Sequence, residues 1–381
     1  MTANFDWDGL EEFLIGQVIE AVMAVAAMCP ADRVYAAAIT DIYAQKMLIL
    51  WPSIAVATDE TLASEASRWQ PAQWQWQFDA TAEGDEWAGR VTAHAGSRGH
   101  GFDDVVARFL DAVARACARA TRKLVSRGLP SVSDEFVAVP LNGDPGLIER
   151  SLTPTQLQRC FPALLERRTE IARLHALAVD DRIGDLLTTM HSAAVDSDTW
   201  ALAGELLIEI GPAAAEALGE HVHRVAETRP ESAESARLVR MLQTIADIGA
   251  ATPSVIQSLT AILADPLISV VLRGESAATL AWLGRLEDIA KHLQGLPTLL
   301  ALDAIARPYI GEHKNGPLDY GPLESVLNTF PEYDDELFAR LSANVMFEIN
   351  ATDLDAATKA LSSRWRFVRR HAAIVMLSTH L

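Results

Sequence analysis

The sequence predicts an α+β N-terminal domain over residues 1–165, a small antiparallel sheet with two long helices, followed by an all-α helical-repeat half over residues 166–381. Three observations predict this. Two long stretches of the first half keep apolar residues at helical spacing, while shorter runs between them have strand composition. From about Thr155 the texture changes to Ala- and Leu-rich segments joined by short polar breaks. Within that second half an internal period recurs, which marks stacked helical units.

In chain order, Leu10 to Met28 reads as an amphipathic helix with Phe13, Leu14, Val18, Val22 and Val25 on one side. Val34-Tyr-Ala-Ala-Ala-Ile-Thr and Lys46-Met-Leu-Ile-Leu-Trp read as an antiparallel pair of strands across a break near Asp41–Ala44. Trp74 to Asp79 alternates large and polar residues, and Trp87 to His94 is placed as a strand beside it. Phe102 to Leu124 is a helix by the spacing of Phe102, Val106, Phe109, Val113, Ala116, Ala120 and Leu124. Asp103 and Asp104 fall in its first turn and Arg119, Arg122 and Lys123 near its last, as the helix dipole favours. Glu135 to Leu141 is one more strand, before a Gly/Pro turn at Asn142–Gly146.

The repeat is carried by Ile210-Gly211, Ile248-Gly249 and Leu283-Gly284, whose glycines are 38 and 35 residues apart. Counting back from each glycine, the fourth position is Leu207, Ile245 or Leu280. The eighth and seventh are Ala203-Gly204, Met241-Leu242 and Ser276-Ala277. Each unit is therefore a helix with one buried stripe, stopped by a C-terminal glycine. A second helix follows, opening on Pro212 or Pro253, where the missing N–H has no intrahelical partner.

The unit Asp265-Pro266 … Leu272-Arg273-Gly-Glu-Ser276-Ala277-Ala-Thr-Leu280-Ala-Trp-Leu283-Gly284 resembles a HEAT repeat, and Val368-Arg369-Arg-His-Ala372-Ala373 repeats its opening. Asn350 lies 66 residues after Gly284, room for two units, of which the one around Pro297 to Phe330 departs from the pattern at Pro308. The resemblance covers about residues 190–381 and implies a curved α-solenoid that binds macromolecules along one face. In this register the chain ends where the last first-helix should end, so Leu381 is read as closing a half-repeat, a cap or a docking surface.

In the first half, three stretches resemble the bacterial domain of unknown function 4303 family. They are Tyr35-Ala-Ala-Ala-Ile-Thr-Asp; Arg68-Trp69-Gln-Pro-Ala-Gln-Trp74-Gln-Trp76; and Asp134-Glu-Phe136-Val-Ala-Val with Asp144, Arg150-Ser151-Leu-Thr-Pro154 and Phe161-Pro162. That resemblance implies, by association with polymorphic-toxin systems, the role of an immunity protein.

Composition narrows the function classes. Half of the 381 residues are hydrophobic and 22% are charged, the profile of a folded chain. The formal charge of −19 argues against a phosphate-backbone binder and suits a basic partner. Residues 1–150 hold 12 basic and 21 acidic side chains and the rest hold 20 and 30, so both halves are acidic. Cys29, Cys117 and Cys160 stand far apart, the acidic start of the chain is unlike a secretory signal, and the longest apolar run, Ala21 to Cys29, is too short for a membrane span. A cytoplasmic protein without membrane or nucleic-acid partners is expected.

Four features invite a site. Six of nine tryptophans, Trp7, Trp51, Trp69, Trp74, Trp76 and Trp87, fall in the first 87 residues. Trp74 and Trp76 would share a strand face as an aromatic platform, but core filling with locally paired indoles is favoured. His94-Ala-Gly96-Ser97-Arg98-Gly99-His100-Gly101 has glycines before a helix, yet Asp103 and Asp104 would repel an anion there, so it reads as a loop. His221 and His223 are about 200° apart on a helix, which disfavours a shared metal, while Glu216, Glu220 and Arg224 form a solvated row. Arg364, Arg366, Arg369, Arg370 and His371 form a basic cluster amid Asp334, Asp335, Glu336, Glu348, Asp353 and Asp355, with Arg369 expected to contact the neighbouring repeat. No catalytic residue, cofactor or metal is assigned. The function expected is non-enzymatic binding of a protein partner, such as a basic toxin, with a small-ligand or enzymatic N-terminal domain as the alternative.

Overall fold

The first helix, α1 (Trp7–Met28), begins where a side chain can close its open end: the Asp6 carboxylate accepts a 2.9 Å hydrogen bond from the Gly9 N–H. It buries Leu14, Val18, Val22 and Val25 of the stripe that the spacing predicts, together with Leu10, while Phe13 is only half-buried. A computed structural model describes residues 5–42, 44–45, 48–62, 67–96, 101–310, 314–340, 347 and 349–378. The chain divides into two compact units, Met1–Arg173 and Leu174–Leu381.

In the first unit, α1 leads to β1 (Val34–Thr40), which is buried along its whole length. Two short strands, β2 (Ala44–Gln45) and β3 (Leu48–Ile49), pair with each other in a separate ribbon. The partner of β1 is instead β4 (Ser53–Thr58), and β5 (Trp76–Phe78) lies outside β4. This corrects the expected pairing of β1 with the 46–51 run, of which Lys46 and Met47 lie outside the described residues. Pro52 separates that run from β4, whose small residues match those of β1: Ala36 opposes Ala57 and Ala38 opposes Ala55.

The helices α2 (Ala82–Gly96) and α3 (Phe102–Ser126) follow, and then β6 (Val132–Pro140). Residues Trp87 to His94, expected as a strand, belong to α2, because Gly84, Ala88, Val91 and Ala95 form a buried stripe at helical spacing. The stripe starts with a close approach: a Cβ added to Gly84 would stand 2.4 Å from the Trp51 indole. The 25 residues of α3 form a crossover long enough to return the chain parallel to β1. The sheet, ordered β5-β4-β1-β6, is therefore mixed and not antiparallel, with β6 parallel to β1. One face packs on α1 and α3. The other is a floor of Ala36, Ala38, Ala55 and Ala57 covered by Tyr35 and Trp74. Helices α4 (Pro145–Ser151), α5 (Pro154–Cys160) and α6 (Pro162–His175) follow β6.

The second unit is helical. It comprises α7 (Val179–Ser192), α8 (Asp198–Ile210), α9 (Pro212–Glu227), α10 (Ser232–Ile248), α11 (Pro253–Ala264), α12 (Val270–Trp282), α13 (Leu286–Ala290), α14 (Thr298–Ala306), α15 (Gly321–Thr329), α16 (Glu332–Arg340), α17 (Ala351–Ala360) and α18 (Arg366–Ser378). Gly211, Gly249 and Gly284 stand at φ of 78°, 70° and 75° just past α8, α10 and α12, where a Cβ would be strained. Leu207, Ile245 and Leu280 are fully buried. Helices α8, α10, α12, α14, α16 and α18 touch in succession as one row, and α7, α9, α11, α13 and α15 as a second. Bonds run along the first row: Thr279 Oγ1 donates to the Leu242 carbonyl at 3.4 Å and Trp282 Nε1 to the Ala246 carbonyl at 3.1 Å. Near Pro308 the row continues as α14 followed by a single 3-10 turn, Arg307–Tyr309. Among the described residues, no helix is long and apolar enough to cross a membrane.

Candidate functional site

The parallel register of β1 and β6 contains an irregularity that opens a cleft. Val34 aligns with Val132 and Ala36 with Val137, so β6 uses five positions where β1 uses two. The three extra residues interrupt the pairing with β1, a distortion that proteins often place beside a binding site. Ser133 Oγ accepts from the Glu135 N–H at 3.2 Å within this stretch. Arg159 of α5 holds it from outside, with Nη2 2.6 Å from the Glu135 carbonyl and Nη1 3.4 Å from its carboxylate.

The cleft measures about 650 Å³ and is lined by Arg33, Tyr35, Asp59, Arg68, Trp69, Ser133, Glu135, Val137, Arg159, Cys160 and Pro162. Tyr35 donates its hydroxyl to the Arg68 carbonyl at 3.2 Å, and the Arg68 guanidinium lies 4.8 Å from the centre of the Tyr35 ring. Trp69 meets Tyr35 edge-on at 6.4 Å and rests on Phe161 at 4.5 Å. Burial raises the Cys160 thiol above its ordinary range, against the lowering effect of Arg159. Such a thiol stays protonated near neutral pH and is a poor nucleophile.

The three stretches that carry the first-half resemblance meet here, through Tyr35, Arg68, Trp69, Glu135 and Pro162. Arg33, Asp59 and Arg159 were not singled out from the sequence. They stand alone between other residues, and only the fold brings them to one concavity.

The features singled out from the sequence take other places. Trp7, Trp51 and Trp74 are buried and Trp69, Trp76 and Trp87 half-buried. Trp74 caps a 3-10 turn outside the strand that holds Trp76, so the two do not form the shared strand face expected. Local pairing of the indoles holds at Trp51, whose Nε1 donates to Gln17 at 2.7 Å. The buried Nε1 atoms of Trp7, Trp74 and Trp76 have no hydrogen-bond partner among the described residues. Ser97, Arg98, Gly99 and His100 lie outside the described residues.

His223 stands 3.7 Å from Glu227 on its own helix, whereas the His221 ring faces that of His191 at 6.2 Å. Burial first, then the Arg224 charge, lowers the His221 pKa. Among the described residues no three His, Cys, Asp or Glu groups are placed to hold a metal ion. The basic cluster is engaged from within. Arg366 pairs with Asp335 at 2.8 Å, Arg370 donates to the Phe338 carbonyl at 3.0 Å, and Arg364 bonds Asn328. Arg369, expected to reach a neighbouring repeat, instead donates to the Ser363 carbonyl at 2.7 Å, in the turn before its own helix.

The second unit exposes apolar side chains where its row helices begin. Leu267, Val270, Val271 and Leu299 are 62%, 40%, 53% and 58% exposed. Leu300 packs so tightly on Gly274 that a Cβ there would lie 3.0 Å from it, which sets the start of α14 against the first turns of α12. No family model, curated protein or solved structure matches the chain.

Proposed function

We propose that the chain is a non-enzymatic binding protein whose helical unit, a HEAT-like solenoid, holds a protein partner. The observation that carries this reading is the group of exposed aliphatic residues on neighbouring helices, Leu267, Val270, Val271 and Leu299. Apolar side chains left exposed on neighbouring helices favour an association site. The excess of 30 acidic over 20 basic side chains across residues 151–381 favours a basic partner, since complementary charge speeds encounter. With the first-half resemblance, this supports a cytoplasmic immunity protein that neutralises a basic toxin.

The test is binding of the purified full chain to the product of the gene adjoining its own, measured by calorimetry. A complex is expected, and Val271→Asp with Leu299→Asp should weaken it by about a hundredfold, the scale of losing an interface hot spot. Cells expressing the chain should survive that product, and cells expressing the double variant should not. No complex, or a complex indifferent to both substitutions, would count against the reading. A second reading, a small-ligand domain in the first unit, is favoured by the cleft beside Tyr35.

A further inference from the structure

Three helices of the second unit bring titratable groups to one point and leave them incompletely bonded. His191 comes from the end of α7, His221 from the middle of α9, and Glu234 and Arg237 from the start of α10. The His191 and His221 rings meet edge-on at 6.2 Å. Arg237 Nη1 donates to Glu234 Oε2 at 2.6 Å, and its Nη2 donates to the carbonyl of Ala193, just past α7, at 3.3 Å. The other carboxylate oxygen, Glu234 Oε1, is buried without a hydrogen-bond partner among the described residues and stands 3.6 Å from His191 Nδ1. The buried Nε2 of His221 has no partner among the described residues either. Buried polar atoms left unpaired destabilise the closed arrangement, and these lie on the seam that joins α7 to α9 and α10.

Protonation strains this seam. A proton on His221 places a cation beside Arg224 of its own helix and opposite His191 of α7, which is itself a cation once protonated. The counter-charge is Glu234 of α10, and Arg237 already shares it. Of the other helices packed on α9, α11 carries no ionisable side chain. α8 carries Asp198, Glu205 and Glu209, of which Glu209 is turned to His175 at 3.4 Å. Burial, then Arg224, lowers the His221 pKa from 6.5 against the raising effect of Glu234. α7 is also weakly propped. Its N-cap residue, Ala178, makes no side-chain cap bond, and Gly184 lies in its interior.

We infer that α7 is an acid-released latch: protonation of His221 separates α7 from α9 and α10 and uncovers its apolar stripe, Ile183, Leu186 and Met190. The sign follows from the ring. His221 takes its proton more readily in the open form, so closure is complete above the unfolded pKa of 6.5 and fades as pH falls below it. For one proton, each pH unit below that value favours opening by up to about tenfold. Release is local, because α11 and the helices beyond it hold no part of the cluster.

Amide hydrogen exchange of the full chain, resolved by peptide and corrected for the pH dependence of intrinsic exchange, tests the latch. Between about pH 7.5 and 5.5 the protection of α7 should fall by about three- to tenfold, while that of α11 changes by less than about twofold. His221→Gln should abolish the fall. His221→Phe, which keeps a ring of similar size, should do the same, so the test survives if either variant fails to fold. His223→Gln is the control, because that ring faces Glu227 on its own helix and the fall should persist. Unchanged protection of α7 in the native chain, or a fall that remains in the His221 variants, overturns the inference. So does an equal fall in α11, which would mark a general loss of stability in acid. No partner enters the experiment, so its outcome is independent of the partner-binding reading.

Discussion

The Tyr320 hydroxyl donates a 2.7 Å hydrogen bond to Nδ1 of His371, and both side chains are buried. The direction follows from the other ring nitrogen. Nε2 faces the Tyr309 carbonyl, which can only accept, so Nε2 carries the proton and Nδ1 is left to accept. Burial pushes the His371 pKa from 6.5 to about 4, against the raising effect of the Tyr309 carbonyl.

Stability of the helical unit should therefore depend on pH in a defined window. A histidine whose pKa is depressed by folding contributes its full stabilisation above its unfolded pKa of 6.5, and loses it as pH falls toward 4. The loss across that window is about 3 kcal/mol. Urea midpoints measured at steps between these pH values should fall for the native chain and change less for His371→Gln. Parallel curves for the two proteins would refute the assignment.

Gly84 should not tolerate a methyl group. Its neighbour is the Trp51 indole, held in place by the bond from Nε1 to Gln17. Gly84→Ala should destabilise the first unit by about 1–3 kcal/mol through overpacking, despite the higher helix propensity of alanine. Chemical denaturation followed by tryptophan fluorescence would measure it, and a neutral or stabilising result would show that the indole can move aside.

The last helix is capped by its neighbour. Both oxygens of the Asp334 carboxylate, on α16, accept from the first N–H groups of α18: Phe367 N to Oδ1 at 2.9 Å and Arg366 N to Oδ2 at 2.9 Å. Asp334→Ala should cost about 1–2 kcal/mol, the scale of losing a helix cap. It should also speed amide hydrogen exchange in the first turn of α18. Unchanged exchange there would mean that the cap adds nothing.

Thiol labelling should sort the cysteines by burial. Cys117 is fully buried and burial drives its thiol pKa well up, so it should stay unlabelled by iodoacetamide until the chain unfolds. Cys160 is half-buried with a raised pKa, and should label more slowly than a free thiol at about pH 8. Peptide mapping by mass spectrometry gives both rates. Labelling of Cys117 in the native protein at the rate of Cys160 would contradict the packing around α3.

Helices with large apolar stripes were legible from the sequence. The spacing of Leu14, Val18 and Val22 in α1, and of Phe109, Val113 and Leu124 in α3, matches their burial. So were the glycine stops at Gly211, Gly249 and Gly284, because a positive φ favours one residue type. The small-residue elements were not. β4 presents Ala55 and Ala57 where a strand signal expects β-branched residues, and α2 packs through Gly84, Ala88 and Ala95, which carry little hydrophobic contrast. The parallel pairing of β6 depends on where α3 delivers the chain, which no local pattern encodes. The cleft was illegible for a related reason. Arg33, Arg68 and Arg159 share no spacing, and only the fold brings them to one concavity.

The alanine floor beneath Trp74 has a consequence for the cleft that its rim residues do not reveal. Ala36, Ala38, Ala55 and Ala57 project only methyl groups, so the segment bearing Trp69 and Trp74 settles close to the strands. The height of that segment is a gauge, one methyl thick, and it fixes how far Trp69 stands above Tyr35. Enlarging a floor residue, as in Ala57→Leu, lifts the aromatic wall while leaving every side chain of the cleft unaltered. The shape of the cleft can thus be retuned from underneath, by residues that do not line it.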